Sequence, residues 1–160
     1  MNYVTKIEQF NELVDGYVKS PFYDKKDCIK QLLDKIKPYT MNKTIVDIGC
    51  GTCHFTELLQ TKKMICVEPS KKMLFYSPLL KNQEKYLMDG MKFMSKTDFS
   101  YDTTIFKESI HLLNSNEQNN IFKACYLRSK HIIIITRPKT NHYLIFRIRL
   151  SNINYYHISG

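Results

Sequence analysis

The sequence predicts an α/β fold built on a mostly parallel β-sheet, and three observations lead to that prediction. Short apolar runs without a helical period, of which residues 44–48 are the clearest, are typical of strands buried on both faces. A glycine-rich turn follows that run, and a helical segment separates it from the next apolar run, Met64 to Val67. With 43% hydrophobic residues, a chain of 160 residues can form one core and one domain.

The N-terminal region predicts two helices. The first runs from Lys6 to Val18, and the second runs from Lys25 to Ile36 after a break at Pro21. Apolar residues at helical spacing, among them Ile7 and Phe10, are expected to pack inward on the rest of the domain.

The run VDIGCGT, residues 46–52, indicates a strand that ends in a carboxylate and breaks into a turn. Gly49 and Gly51 allow positive φ angles and let a ligand approach the backbone without an intervening Cβ. Asp47 lies at the carboxyl end of the strand and is expected to point toward that ligand. Phe55 to Leu59 is predicted to be helical, with N-terminal amides that can hold a ligand carboxylate. Strand, turn and helix together predict a ligand crevice.

The spacing of the glycines decides which ligand this crevice suits. A dinucleotide fingerprint requires G-x-G-x-x-G, and His54 occupies the position of its third glycine, so a nicotinamide dinucleotide is disfavoured. The run resembles instead the first motif of class I S-adenosylmethionine-dependent methyltransferases, an acidic residue followed by x-G-x-G-x-G. Asp47, Gly49 and Gly51 match that motif, and Cys53 stands where the last glycine is usual. If that position requires a positive φ, the cysteine is strained there.

The resemblance continues at the end of the second predicted strand. Glu68 follows Met64 to Val67, 21 residues after Asp47. In the family, the acidic residue at this position accepts hydrogen bonds from the ribose hydroxyls of the cofactor, and Pro69 would then lie against the adenine. Ser70 is the expected N-cap of the next helix.

Three further strands complete the resemblance, which covers residues 24–137. Lys85 to Met88 ends in Asp89 and Gly90, matching the family's acidic residue near the adenine amino group and the amide beside it. Tyr101 to Phe106 and His131 to Thr136 match the fourth and fifth strands. The resemblance implies a Rossmann-like, doubly wound, three-layer α/β fold.

The sequence also predicts where the helix that joins the fourth and fifth strands begins. Ser115, with Gln118 three residues later, predicts a capping box at its start.

The resemblance also implies the site residues. The cofactor, S-adenosyl-L-methionine, is expected to contact residues at these strand ends: Asp47, Gly49, Cys50, Gly51, Glu68, Pro69, Asp89, Gly90 and Lys107. Methyl transfer from a sulfonium is an in-line displacement, so positioning of the acceptor supplies much of the catalysis. If the acceptor carries a proton, His111 is the first candidate for the base and Glu108 is the second.

The C-terminal region departs from the family. We divide the domain into a helical cover (1–39), a cofactor-binding core (40–137) and a divergent tail (138–160). Only 23 residues follow Arg137, so we expect the sheet to lack the full C-terminal strand pair of the family. Apolar and basic residues alternate in the segment from Leu144 to Leu150, which predicts a strand that covers the otherwise open edge of the fifth strand.

The cysteines predict a reducing compartment and no metal. Of five, Cys66 and Cys125 lie in apolar patterns and are expected to be buried free thiols. Cys50 and Cys53 form a C-x-x-C, but no second pair or histidine cluster completes a tetrahedral site. No apolar stretch approaches the roughly 20 residues of a membrane span, and the N-terminus lacks a signal-peptide core, so a cytoplasmic protein without membrane contact is expected.

The charge leaves the acceptor open. A net charge of +9 is spread over dispersed lysine pairs, and no N-P-P-aromatic motif follows the fourth strand, so a small-molecule acceptor is favoured over nucleic acid. The favoured function is a methyltransferase. Two alternatives stay open: a truncated, catalytically inactive isoform that binds the cofactor, and an RNA-binding or RNA-modifying module.

Overall fold

The computed structural model describes residues 3–18, 26–96, 98, 100–136, 143–149 and 152–158. Its helices are α1 (Tyr3–Val18), α2 (Lys26–Thr40), α3 (Lys71–Phe75), α4 (Gly90–Lys96) and α5 (Ser115–Arg128). Its strands are β1 (Thr44–Ile48), β2 (Lys63–Glu68), β3 (Gln83–Leu87), β4 (Tyr101–Lys107), β5 (Ser129–Thr136), β6 (Tyr143–Arg149) and β7 (Asn152–Ile158). The strands form one sheet in the order β3-β2-β1-β4-β5-β6-β7, and the first five of these are parallel.

The sheet separates two apolar cores, which confirms the three-layer α/β architecture. On one face α2 packs through Leu32 and Ile36 against alternate residues of β1, β2, β4 and β5. On the other face α4 and α5 pack through Phe93, Met94 and Ile121 against the remaining strand residues. Strands buried on both faces account for the continuous apolar runs in the sequence.

The C-terminal edge of the sheet corrects one expectation. The strand predicted from Leu144 to Leu150 is confirmed as β6, which pairs antiparallel with β5. However, β7 pairs antiparallel with β6, so the expectation that the chain lacks a full C-terminal strand pair is wrong. The asparagines of β7 concealed the strand, because asparagine is depleted in strands and weakens the alternating pattern.

The two N-terminal helices are confirmed, although α2 continues to Thr40 with Pro38 in its last turn. None of the helices in the described ranges is long and apolar enough to cross a bilayer.

The N-terminus of α5 shows a second difference. The predicted capping box of Ser115 and Gln118 is displaced by one residue. The Asn114 side chain accepts from the Glu117 amide at 3.0 Å, and the Glu117 carboxylate accepts from the Asn114 amide at 2.8 Å. Gln118 instead donates to two backbone carbonyls in the preceding turn. Asparagine is as good an N-cap as serine, so the pattern alone could not choose between the two registers.

Candidate active site

A cleft of about 390 Å³ opens where the carboxyl ends of β1, β2 and β4 meet. Parallel strands place their carboxyl ends at one edge, which is where ligands bind in open α/β sheets. All the site residues named from the sequence line this cleft: Asp47, Gly49, Cys50, Gly51, Glu68, Pro69, Asp89, Gly90, Lys107, Glu108 and His111. Apolar side chains that no sequence motif marked as site residues line the cleft with them, including Ile7, Phe10, Met91, Leu112 and Leu113.

The turn after β1 requires glycine for two reasons. Gly49 has a φ of +73°, and a Cβ at that position would lie 2.5 Å from the Cβ of Ser109. Gly51 has a φ of +57°, but a Cβ there would meet no atom within 4 Å. Ser109 itself is fixed, because its hydroxyl donates to the Ile48 carbonyl at 2.6 Å. The chain therefore passes close to the β4 loop at Gly49 and faces open space at Gly51.

Cys53, at the position where the resembled motif usually has a glycine, has a left-handed backbone conformation. Its φ is +58° and its side chain is fully buried. A left-handed conformation costs an L-residue about 1–2 kcal/mol, so the expectation of strain at this position is confirmed.

The segment from Phe55 to Leu59 contains less helix than predicted. It forms a single 3₁₀ turn, Thr56–Leu58, and the chain is extended again at Leu59. The amides of Leu58 and Leu59 donate three residues back, to the Phe55 and Thr56 carbonyls, both at 3.1 Å. The Thr56 hydroxyl also donates a hydrogen bond to the Asp47 carboxylate, which fastens this turn to β1.

Asp47 is a buried carboxylate with one oxygen unused. Its side chain is only 2% exposed, and burial raises its pKa to about 7, although the Thr56 hydrogen bond and the charge of Lys107 act in the opposite direction. Oδ2 accepts from Thr56, whereas Oδ1 is buried and has no hydrogen-bond partner among the described residues. A buried acceptor on the wall of a cleft is suited to a donor from a ligand.

Glu68 connects the glycine turn to the end of β2. One carboxylate oxygen accepts from the Gly51 amide at 2.9 Å and the other accepts from the Ser70 amide at 2.9 Å. Burial raises the pKa of Glu68 to about 7 despite these two bonds. Each oxygen keeps a second lone pair for a ligand donor. Ser70 is the N-cap of α3, as predicted, because its hydroxyl accepts from the Met73 amide at 3.2 Å.

Asp89 and Gly90 lie where the third strand leads into α4. The strand spans Gln83–Leu87, two residues earlier in its start than predicted. The Asp89 carboxylate accepts from the Lys92 amide at 2.8 Å, which stabilises the first turn of α4. A Cβ on Gly90 would lie 2.5 Å from the Ile48 side chain, so close packing requires glycine here.

The segment after β4 forms the opposite wall. Lys107 is 9% exposed, and its Nζ lies 5.5 Å from the centre of the Phe55 ring. Glu108 has a φ of +53°, and its Oε1 is buried without a hydrogen-bond partner among the described residues. His111 lies exposed at the rim, in a 3₁₀ turn. The strained conformation of Glu108 was not foreseen, since no sequence signal marks a positive φ at a glutamate.

A known family model matches the part of the chain that forms this cleft. Residues 46–129 match the family model described as "Methyltransferase domain". The matched region begins inside β1 and ends at the start of β5, so it contains the glycine turn and every strand end that lines the cleft. The comparison with curated proteins found no match.

Solved structures share the fold. A DhpI–SAM–HEP complex is similar over 100% of this chain and 83% of its own, with 10% identity and a TM-score of 0.69. N-methyltransferase NodS from Bradyrhizobium japonicum in complex with S-adenosyl-L-homocysteine is similar over 82% of this chain and 71% of its own, with 15% identity and a TM-score of 0.68.

A third neighbour is a protein of an antibiotic biosynthesis pathway from Anabaena variabilis, with 18% identity and a TM-score of 0.55 over 66% of this chain. This chain spans only 44% of the length of that neighbour. Likeness at these identities shows the fold alone.

Proposed function

Because the family model matches more than half of it, the chain belongs to the methyltransferase-domain family, and we propose that it transfers a methyl group from S-adenosyl-L-methionine to a small-molecule acceptor. One observation carries the proposal. Two buried carboxylates, Asp47 and Glu68, end adjacent strands on either side of a turn whose glycines have positive φ, and all three features line one cleft.

Five positions of this cleft are suited to the cofactor. Glu68, held by two backbone amides, would accept from the ribose hydroxyls, and Asp89 would accept from the adenine amino group. Pro69 would lie against the adenine ring. The unused Oδ1 of Asp47 would accept a donor from the amino-acid part of the cofactor. Gly51 leaves open space in which the cofactor can approach the backbone. The complexes named for DhpI and NodS support this assignment by fold.

The remaining walls are suited to methyl transfer. The cofactor supplies an electrophilic methyl group on a sulfonium, and displacement needs the acceptor in line with that bond. Ile7, Phe10 and Leu112 line the cleft with apolar surface, which excludes water and orients the acceptor. Glu108 and His111 lie on the same wall, where either can take the acceptor's proton.

Calorimetric titration with S-adenosyl-L-methionine tests the cofactor site. We expect saturable binding by the wild-type chain and its loss in Asp47→Ala and Glu68→Ala. Glu84→Ala is the matched control, because Glu84 is a surface carboxylate paired with Lys63 at 2.8 Å. This variant should bind the cofactor as the wild type does. Far-UV circular dichroism verifies that each variant is folded. A folded wild-type chain that does not bind would overturn the proposal.

The transfer step has its own test. The chain is incubated with methyl-labelled cofactor and a panel of small amines, phenols and carboxylic acids, and label transfer is measured. For the acceptor that is methylated, we expect His111→Gln and Glu108→Gln to lower kcat unequally while leaving cofactor affinity unchanged. If neither variant changes kcat, these side chains have no role in removing the proton.

A further inference from the structure

Three cysteine thiols meet beneath the glycine turn. The Sγ atoms of Cys50, Cys53 and Cys66 all lie within 4.8 Å of one another, and those of Cys50 and Cys53 are 3.4 Å apart. Cys66 lies on β2, in register with Asp47 of β1. The turn after β1 folds over this face of the sheet and brings the C-x-x-C onto the thiol of the neighbouring strand. The third sulfur therefore comes from the pairing of β1 with β2, and the spacing of cysteines along the sequence does not reveal it.

The separations of the three sulfurs suit a single metal ion. A Zn–S bond is about 2.3 Å, which places two thiolates on one ion about 3.8 Å apart in tetrahedral geometry and about 4.0 Å apart in trigonal geometry. The Cys50 and Cys53 sulfurs are 3.4 Å apart, and neither of the other two separations exceeds 4.8 Å, so small side-chain movements would complete the site. Soft thiolate ligands select copper(I) and zinc among the common metals.

The surroundings of the three sulfurs exclude most solvent but leave one side open to the cleft. Cys53 and Cys66 are fully buried in the core, which protects them from solvent, whereas Cys50 also lines the cleft and offers a path for entry. The Gln83 side chain donates to the Cys66 sulfur at 3.1 Å, and this hydrogen bond would orient Cys66 as a ligand.

The backbone provides an independent observation. Cys53 occupies a left-handed conformation at φ +58°, where a glycine would be unstrained. A strained residue that persists suggests that its side chain has a use. This buried side chain approaches the other two sulfurs.

We propose that Cys50, Cys53 and Cys66 bind one thiophilic metal ion, zinc or copper(I), beneath the glycine turn. Three thiolates would complete the coordination of copper(I), whereas zinc would take a water as its fourth ligand. Cys50 also lines the cofactor cleft, so the two sites share one residue. The test of the metal site does not depend on S-adenosyl-L-methionine.

The test titrates the reduced chain with cadmium(II), a spectroscopic substitute for zinc, and with copper(I), under anaerobic conditions. Sulfur-to-metal charge-transfer absorption in the near ultraviolet reports binding. All variants carry Cys28→Ser, so that the four remaining cysteines are those whose thiols the structure describes. We expect saturation at one equivalent with at least one of the two ions.

Variants separate the cluster from the rest of the chain. Cys53→Gly removes one ligand and places at this positive φ a residue that adopts it without strain, so the fold should persist. We expect this variant and Cys66→Ser to lose about 100-fold or more in affinity. Cys125→Ser, which removes a buried thiol on α5 outside the cluster, should bind as its parent does. Absence of a saturable band with both ions, or equal affinity in Cys53→Gly and Cys125→Ser, would overturn the proposal.

Discussion

Substitution of the two glycines in the turn after β1 separates close packing from backbone strain. Both Gly49 and Gly51 have positive φ, so alanine costs each about 1–2 kcal/mol for the left-handed conformation. Only at Gly49 does the new Cβ meet another atom, the Ser109 Cβ at 2.5 Å. Overpacking of this kind costs about 1–3 kcal/mol more. We therefore expect Gly49→Ala to lower the free energy of unfolding by about 2–5 kcal/mol and Gly51→Ala by about 1–2 kcal/mol.

Thermal and urea unfolding measure this difference. In a domain of this size, 1 kcal/mol shifts Tm by roughly 2–4 °C, so Gly49→Ala should lose roughly 4–20 °C and Gly51→Ala roughly 2–8 °C. Ser109→Gly removes the atom that the new Cβ meets, so the double variant should recover most of the packing cost. It forfeits the hydrogen bond to Ile48, worth about 0.5–1.5 kcal/mol.

Cofactor binding should show the opposite order of sensitivity. The Cβ of Gly51→Ala would lie in the open space of the cleft. We therefore expect Gly51→Ala to lower the affinity for S-adenosyl-L-methionine more than Gly49→Ala does, although it lowers stability less. Equal stability losses in the two variants, with no rescue by Ser109→Gly, would refute the packing argument. Unchanged affinity in Gly51→Ala would refute the placement of the ligand beside this turn.

Three further predictions concern buried or capping groups. Because burial raises the pKa of Asp47 from 3.8 to about 7, and that of Glu68 from 4.5 to about 7, the folded state binds extra protons and stability falls as pH rises from about 4 to about 7. Asp47→Asn should make this slope shallower in urea unfolding, leaving the part that Glu68 contributes. Thr56→Val leaves the Asp47 carboxylate without its hydroxyl donor and should cost about 1–3 kcal/mol of unfolding free energy, whereas Thr56→Ser should cost much less. Asn114→Ala should cost about 1 kcal/mol by loss of the α5 cap, and Ser115→Ala almost nothing.

Each of these predictions has a result that contradicts it. A pH profile that is equally steep in wild type and Asp47→Asn would mean that another group carries the dependence. Similar stability in Thr56→Val and Thr56→Ser would show that the Thr56 hydroxyl does not stabilise the fold. A larger loss in Ser115→Ala than in Asn114→Ala would restore the capping register expected from the sequence.

The elements that sequence predicted best are those whose pattern has one physical cause. Strands buried on both faces are mostly apolar, so β1, β2 and β5 were visible as apolar runs, whereas β4, which contains Asp102 and two threonines, was found by resemblance to the family. The glycine turn was visible because positive φ and close approach both require glycine. The cleft followed, since parallel strands end together at one edge.

What the sequence concealed depends on contacts between distant residues. Cys66 joins Cys50 and Cys53 only because β2 pairs with β1 in a particular register. The positive φ of Glu108 reflects how β4 runs into the following turn, and a glutamate gives no sign of it. The strand β7 gains its partner from β6, and its own residues predict it weakly.

The central claim is that this cleft holds S-adenosyl-L-methionine with the ribose at the end of β2. A crystal structure of the chain with S-adenosyl-L-homocysteine tests it most directly. We predict both ribose hydroxyls within hydrogen-bond distance of the Glu68 carboxylate, while that carboxylate still accepts from the Gly51 and Ser70 amides. Density for the ligand elsewhere, or a ribose turned away from Glu68, would contradict the account.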